Sequence, residues 1–204
     1  RDPPPNFAGI DPNEPIEIHR RNLPHWRQAG ATYFVTFRLS DSLPKAKVDQ
    51  LRELREDWER KNPKPHTDEQ LQEYAKLFAT RVERWLDDGA GCCALRDHEN
   101  ASLVDSTLSH FDGDRYHLFC SVVMPNHIHA VVKPLGGNCL DEIWESWKKF
   151  SATRLSEKGV KIRPIWFSEG YDRIVRDVEH LQRVVRYIGR NPGKIGLEKE
   201  ETFC

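Results

Sequence analysis

The sequence predicts an α+β fold: an antiparallel sheet of ferredoxin-like (split βαβ) plan, with helices on one face and a helical insertion after the first strand. Three observations carry this. Four short runs with strand character are separated by charged segments with helical spacing. Two of the runs are divided only by Pro125-Asn126, turn chemistry that makes them a tight hairpin. With the charged stretch at about 41–90 set aside, the elements read β-α-β-β-α-β and then a further helix.

Residues 1–16 are rich in Pro, Asn and Asp and read as a flexible or surface-draped segment. RDPPPNFAGIDPNEP is no secretory signal, and without an initial Met the sequence reads as trimmed or as lacking a leader. ATYFVTFRL (Ala31–Leu39) is β-branched and aromatic, and forms the first strand. Ser42-Leu43-Pro44 opens a helix over Lys45–Lys61, with Leu51, Leu54 and Trp58 on one face. PKPHTDEQ breaks it and offers Thr67 or Asp68 as the cap of a second helix, which carries Leu71, Tyr74, Phe78, Val82 and Leu86 to about Asp87. GAGCC is a turn, and a third helix is expected over Glu99–Phe111. The hairpin strands are Tyr116–Met124 and His127–Lys133. Leu140–Glu157 reads as a helix, Gly159–Gly170 as a loop and Tyr171–Val175 as a short strand. Asp177 caps a last helix that runs to Arg190 and is stopped by Asn191-Pro192. The expectation is one domain over 17–197 and a tail at 198–204.

With 38% hydrophobic and 31% charged residues, the chain can bury a core and stay wettable. No apolar run is long enough to cross a membrane. Five cysteines (Cys92, Cys93, Cys120, Cys139, Cys204) include no C-x-x-C pair. They read as reduced thiols in a cytoplasm, not as a disulfide frame or a zinc site. Net charge is −1, so a nucleic-acid surface would have to be local. Residues 161–194 supply one, with eight Lys/Arg against four acids.

SVVMPNHIHAVV (Ser121–Val132) carries the chemistry. Side chains alternate along a strand, so His127 and His129 share a face, about 7 Å apart along the chain, and Ile128 points into the core. Helices cover the other face, so the histidine face is expected to look onto an open side or cleft. Two neutral imidazoles there can converge on a divalent ion; the spacing alone is equally that of ordinary exposed strand residues. Of the five tyrosines, Tyr33, Tyr74 and Tyr116 fit packing positions and Tyr171 is ambiguous. Tyr187 shares its helix face with Arg183 and Arg190, and Asn191 lies one turn on. His180, two turns before Tyr187, reads as a solvated helix histidine or a second groove residue.

MPNHIHAVV, preceded by a strand, resembles the histidine–hydrophobic–histidine strand of the HUH nucleases, and more narrowly that of the REP-associated tyrosine transposases. RNLPHWRQAGATYFVTFRL resembles that family's lead-in and opening strand. SWKKF (Ser146–Phe150) stands at its Lys-bearing helix, and IWFSEGYDRIVRD (Ile165–Asp177) resembles its tryptophan loop and fourth strand. RYIGRNP (Arg186–Pro192) resembles its Y-I-x-x-N-P segment. The resemblance spans residues 17–197 and departs from the family core at about 41–90.

The resemblance implies a metal-dependent single-stranded DNA endonuclease and strand transferase. Tyr187 would be the nucleophile, forming a 5′-phosphotyrosine and freeing a 3′-OH, and the arginines around it would favour its phenolate. His127, His129 and Asn191 would hold Mg²⁺ or Mn²⁺, although by ligand type alone zinc or nickel binds more tightly. The implied partner is single-stranded DNA with a hairpin, as in REP-like repeats. It would be contacted by Arg183, Arg186, Arg190 and Lys148, by Arg20, Arg21 and Arg27 of the basic lead-in, and by Trp166 if that ring stacks on a base and does not pack in the core. No membrane is involved, a monomer is favoured over a homodimer, and the place is the bacterial cytoplasm, associated with the nucleoid. Two rivals stand beside this: a catalytically inactive DNA or RNA hairpin binder on the same fold, and nicking with water as the nucleophile.

Overall fold

A computed structural model describes residues 4–20, 24–194 and 202–203. The elements in chain order are β1 (Glu17–Arg20), β2 (Pro24–Arg27), β3 (Tyr33–Arg38), α1 (Lys45–Lys61), α2 (Asp68–Asp87), a 3-10 turn (Ala94–Arg96), α3 (His98–Ser109), β4 (Tyr116–Met124), β5 (His127–Pro134), α4 (Leu140–Glu157), β6 (Tyr171–Ile174), α5 (Val178–Lys194) and β7 (Thr202–Phe203). The main sheet has the order β6-β3-β5-β4-β7, and every neighbouring pair is antiparallel. Its first four strands have the order of the split-βαβ plan, an α+β arrangement. β1 and β2 pair separately as a short ribbon. Pro24 and the charges around it mask this ribbon in the sequence, because proline demotes a strand reading.

The pleat sorts side chains onto two faces. Tyr33, Val35 and Phe37 of β3 and Ile128, Ala130 and Val132 of β5 pack with Val104 and Leu108 of α3 and with Ile143, Trp147 and Leu155 of α4. Phe34, Val131, Cys120, Val122 and Met124 point the other way and pack with Leu181, Val184 and Ile188 of α5. α3 and α4 thus cover one face, as the plan requires. The opposite face, expected to be open, is covered by α5. Leu181, Val184 and Ile188 form an apolar stripe that has to be buried against something, and the uncovered side of the sheet receives it. All six residues of β3 are buried in consequence.

α5 also runs past Arg190, through Asn191-Pro192 to Lys194. In the last turn Pro192 forfeits one N–H donor without interrupting a long ladder. Asp177 begins the helix as expected, its Oδ1 accepting from the His180 N–H at 2.6 Å. α2 starts at a capping box in which Thr67 and Gln70 each accept from the other's backbone N–H.

The α1–α2 insertion has a small core of its own, in which Leu43, Trp85 and Leu86 pack with Val48, Leu51 and Val82. It also grips the hairpin turn: Asn126 Nδ2 donates to the Leu86 carbonyl at 3.3 Å and the Ala90 carbonyl at 3.0 Å. The N-terminal segment is strapped across the fold, where Ala8 O accepts from the Thr32 N–H and the Ile10 N–H reaches Arg176 O. No described helix is long and apolar enough to cross a membrane.

Candidate active site

His127 and His129 sit in β5 opposite Arg38 and Thr36 of β3. Their rings are buried, at 1% and 0% exposure, and their Nε2 atoms face each other 3.1 Å apart. The proton positions follow from the neighbours. Asn126 Nδ2 is committed to two carbonyls, so Asn126 Oδ1 accepts from His127 Nδ1–H at 2.8 Å. In a neutral His127 the lone pair is then on Nε2. The outer nitrogen of His129 is 2.7 Å from Thr36 Oγ1, a hydroxyl that rotates to donate or accept. The Asn126 oxygen is an outer partner of the kind that fixes the tautomer of a metal-ligating histidine.

With the lone pair of His127 on Nε2, the 3.1 Å separation calls for a proton on His129 Nε2 or a cation between the two nitrogens. Adjacent ligands about 2.1 Å from one ion are themselves roughly 3 Å apart, so the observed spacing suits a shared ion. Asn191 of α5 is fully buried, and neither its amide oxygen nor its nitrogen makes a hydrogen bond of ordinary geometry within the described residues. A buried amide without a hydrogen bond of ordinary geometry at either end is costly, and its donor chemistry fits a ligand-holding position. Among the described residues no three His, Cys, Asp or Glu side chains are grouped to hold a metal. Any ion here depends on the two imidazoles and the Asn191 amide, a donor set that fits a divalent ion with open positions for phosphate oxygens.

Tyr187 reaches the same place from α5. Its hydroxyl is 3.5 Å from His129 Nε2, and its ring meets the His129 ring edge-on at 5.2 Å and Phe34 at 6.2 Å. The side chain is half-buried. Burial pushes the phenol pKa well above the usual tyrosine range; Glu83 and Asp87 of α2 push it further, while Asn191 and Arg173 pull it back. The arginines of α5 do not activate it: Arg183, Arg186 and Arg190 all point to solvent, where screening is strong. The expected phenolate-favouring role is therefore corrected.

The other sequence candidates divide by burial. Arg183, Arg186 and Arg190 form an exposed row on α5. Lys148 donates to the Phe167 and Ser168 carbonyls at 2.9 and 3.2 Å, bracing the loop before β6. Two expected DNA contacts are corrected. Arg27 is 9% exposed and bound by Asp172 and, in a two-pronged contact, by Asp141; a guanidinium so matched is structural. Trp166 is 5% exposed, packs on Phe37 at 4.9 Å and donates to Ser151 Oγ at 2.9 Å, which leaves no face for a base. Arg21 and the Arg20 side chain lie outside the described residues. His180 accepts from the Arg176 N–H at 3.1 Å, and burial with three arginines around it lowers its pKa to about 4.

Sequence reasoning missed Thr36, Asn126 and Arg38. Asn126 adjoins the histidine pair, and strand register alone would have found Thr36 and Arg38. Arg38 is buried beside Ser42, with its guanidinium 3.7 Å over the Phe167 ring, and desolvation lowers its pKa to about 10. Glu83 and Asp87 were also missed, since nothing local to α2 points to Tyr187.

Fold and site together define a class: α+β proteins whose split-βαβ sheet carries a buried histidine pair beneath a tyrosine-bearing helix. No family model and no curated protein matches the chain. Among solved structures, a REP-associated tyrosine transposase bound to a REP hairpin is similar at 17% identity and a TM-score of 0.41, over 84% of this chain and 72% of its own.

Proposed function

We propose that the chain is a DNA-processing enzyme of transposase type, a metal-dependent single-stranded endonuclease and strand transferase acting at hairpin-flanked repeats. One observation carries this: the Tyr187 hydroxyl, the facing Nε2 atoms of His127 and His129, and the unsatisfied Asn191 amide converge from β5 and α5 on one spot. A divalent ion held by His127, His129 and Asn191, Mg²⁺ or Mn²⁺ by the sequence resemblance, would polarise the scissile phosphate and offset its transition-state charge.

The rest is the work of the chain. Asn126 and Thr36 hold the rings in orientation. The Tyr187 oxygen forms a bond to phosphorus as the bond to the 3′ oxygen breaks; the tyrosine proton is lost, and the leaving oxygen takes one up as a 3′-OH. The product, a 5′-phosphotyrosine, keeps a reactive ester, so a 3′-OH can later reverse the step and join strands. The exposed arginines of α5 suit a DNA backbone, and binding through them weakens with salt. Because α5 covers the histidines, a phosphate enters only when this helix shifts from the sheet.

The test is incubation with labelled single-stranded hairpin oligonucleotides and Mg²⁺ or Mn²⁺. A covalent adduct that disappears in Tyr187→Phe is expected. The near-complete burial of both histidines favours one alternative, an inactive hairpin binder. Tight binding without adduct in either metal would establish that alternative and remove the nuclease.

A further inference from the structure

We propose that the cavity between the α1–α2 insertion and the β3–β6 edge of the sheet takes one nucleobase of the bound single strand, beside the scissile phosphate. This assignment rests on the single-strand reading above. The cavity has a volume of about 350 Å³, within the range of small-ligand sites. Its walls come from opposite sides: Tyr74 and Phe78 from α2, and Phe167 and Tyr171 from the segment entering β6. Aromatic faces grip single strands because every base has a face to stack.

Two ties place the cavity next to the active centre. Thr36 lines it and bonds the His129 ring. Glu83 lines it and acts electrostatically on Tyr187. Gly170 keeps the entry to β6 tight, since a Cβ there would collide with Trp144 at 2.0 Å, and so helps to hold Phe167 and Tyr171 in place.

Charge is graded with exposure. Arg52 and Arg55 of α1 belong to the lining, with side chains 65% and 38% exposed. Their partners are Asp49 and Glu59 in surface pairs, which are weak enough to be exchanged for a phosphate. Glu169, 13% exposed and 3.9 Å from His25 Nε2, and Glu83 are carboxylates within the same lining, and a carboxylate has lone pairs for more than one donor. A carboxylate accepts from the exocyclic amino group of a base such as cytosine or adenine. Thymine has no such group, so the pocket favours an amino-bearing base. The insertion, which departs from the family core, thereby supplies the second wall of a base pocket.

The experiment uses full-length Tyr187→Phe protein and single-stranded oligonucleotides carrying one photoreactive iodinated cytosine or uracil at successive positions. At one position the cytosine probe should crosslink to peptides containing Tyr74, Phe78 or Phe167, at about ten times the yield of the uracil probe. In the otherwise unmodified protein, Ala79→Phe fills the cavity and should weaken single-strand binding about tenfold. Arg52→Glu changes an exposed side chain that folding does not need, and should weaken binding severalfold, most at low salt. If the Tyr187 adduct forms but crosslinks fall only outside the cavity, and both variants bind as before, the pocket is overturned and the nuclease stands. If no single strand binds at all, both are overturned.

Discussion

The sheet carries a histidine cluster on each side, and the two are built on opposite principles. On the α3–α4 side, His25, Arg27, Asp141 and Asp172 form a network in which opposite charges meet: Asp172 bonds both His25 and Arg27, Arg27 also takes both oxygens of Asp141, and His25 Nε2 lies 3.9 Å from Glu169. Burial alone would lower the His25 pKa, but the Asp172 bond and the nearby Glu169 carboxylate outweigh it and raise the value to about 9. On the α5 side, His127, His129, Tyr187 and Asn191 are crowded together, and neither end of the Asn191 amide makes a hydrogen bond of ordinary geometry within the described residues. The first arrangement ties the β1–β2 ribbon to β6 and α4. The second holds polar groups at an energetic disadvantage, as functional sites do. Histidine content says nothing of the difference; what surrounds each ring decides it.

The contrast can be broken or sharpened by measurements of stability, taken from the largest effect down. Asp172→Ala leaves Arg27 and His25 buried without their shared carboxylate, and should cost about 3–5 kcal/mol in urea unfolding. The His25 network should also make stability pH-dependent. Its pKa is higher folded (about 9) than unfolded (6.5). The stabilisation is therefore complete below pH 6.5 and fades by a few kcal/mol as pH rises through about 9; His25→Gln should flatten that limb of the curve. On the other face, Mn²⁺ at about a hundred times its Kd should stabilise the fold by roughly 2.7 kcal/mol, a gain read as a rise in Tm and absent in His129→Ala. Asn191→Leu should lose the same metal response yet raise metal-free stability by about 1 kcal/mol, since it removes a buried unsatisfied amide. Tyr187→Phe should change stability by less than about 1 kcal/mol while eliminating the adduct. Equal destabilisation by Asp172→Ala and Asn191→Leu would erase the distinction between the two faces.

Much of this was legible in the sequence, for reasons that are local. β3, α1, β4 and α4 follow from residue type and spacing within each segment, and the Pro125-Asn126 turn fixed the hairpin register that puts His127 and His129 on one face. Tyr187 and Asn191 share a helix face by their four-residue spacing. What escaped depends on distance along the chain. Arg27 reads as part of a basic arm because its acids, Asp141 and Asp172, lie 114 and 145 residues away. The apolar stripe of α5 was visible, but not the sheet face that would bury it. Thr36 looks like any strand threonine until β3 is laid against β5. Trp166 in a loop reads as available until Phe37 and Ser151 are found around it.

Asn126 is a hinge pin between the inserted helices and the strand that follows it. Its nitrogen clasps the C-terminal end of the inserted hairpin, while its oxygen tells the neighbouring imidazole which atom must carry hydrogen. Excising residues 45–90 to recover a leaner relative would therefore do more than shorten a loop: the carboxamide could turn over, and the ring beside it would lose its instruction to keep a lone pair pointing inward.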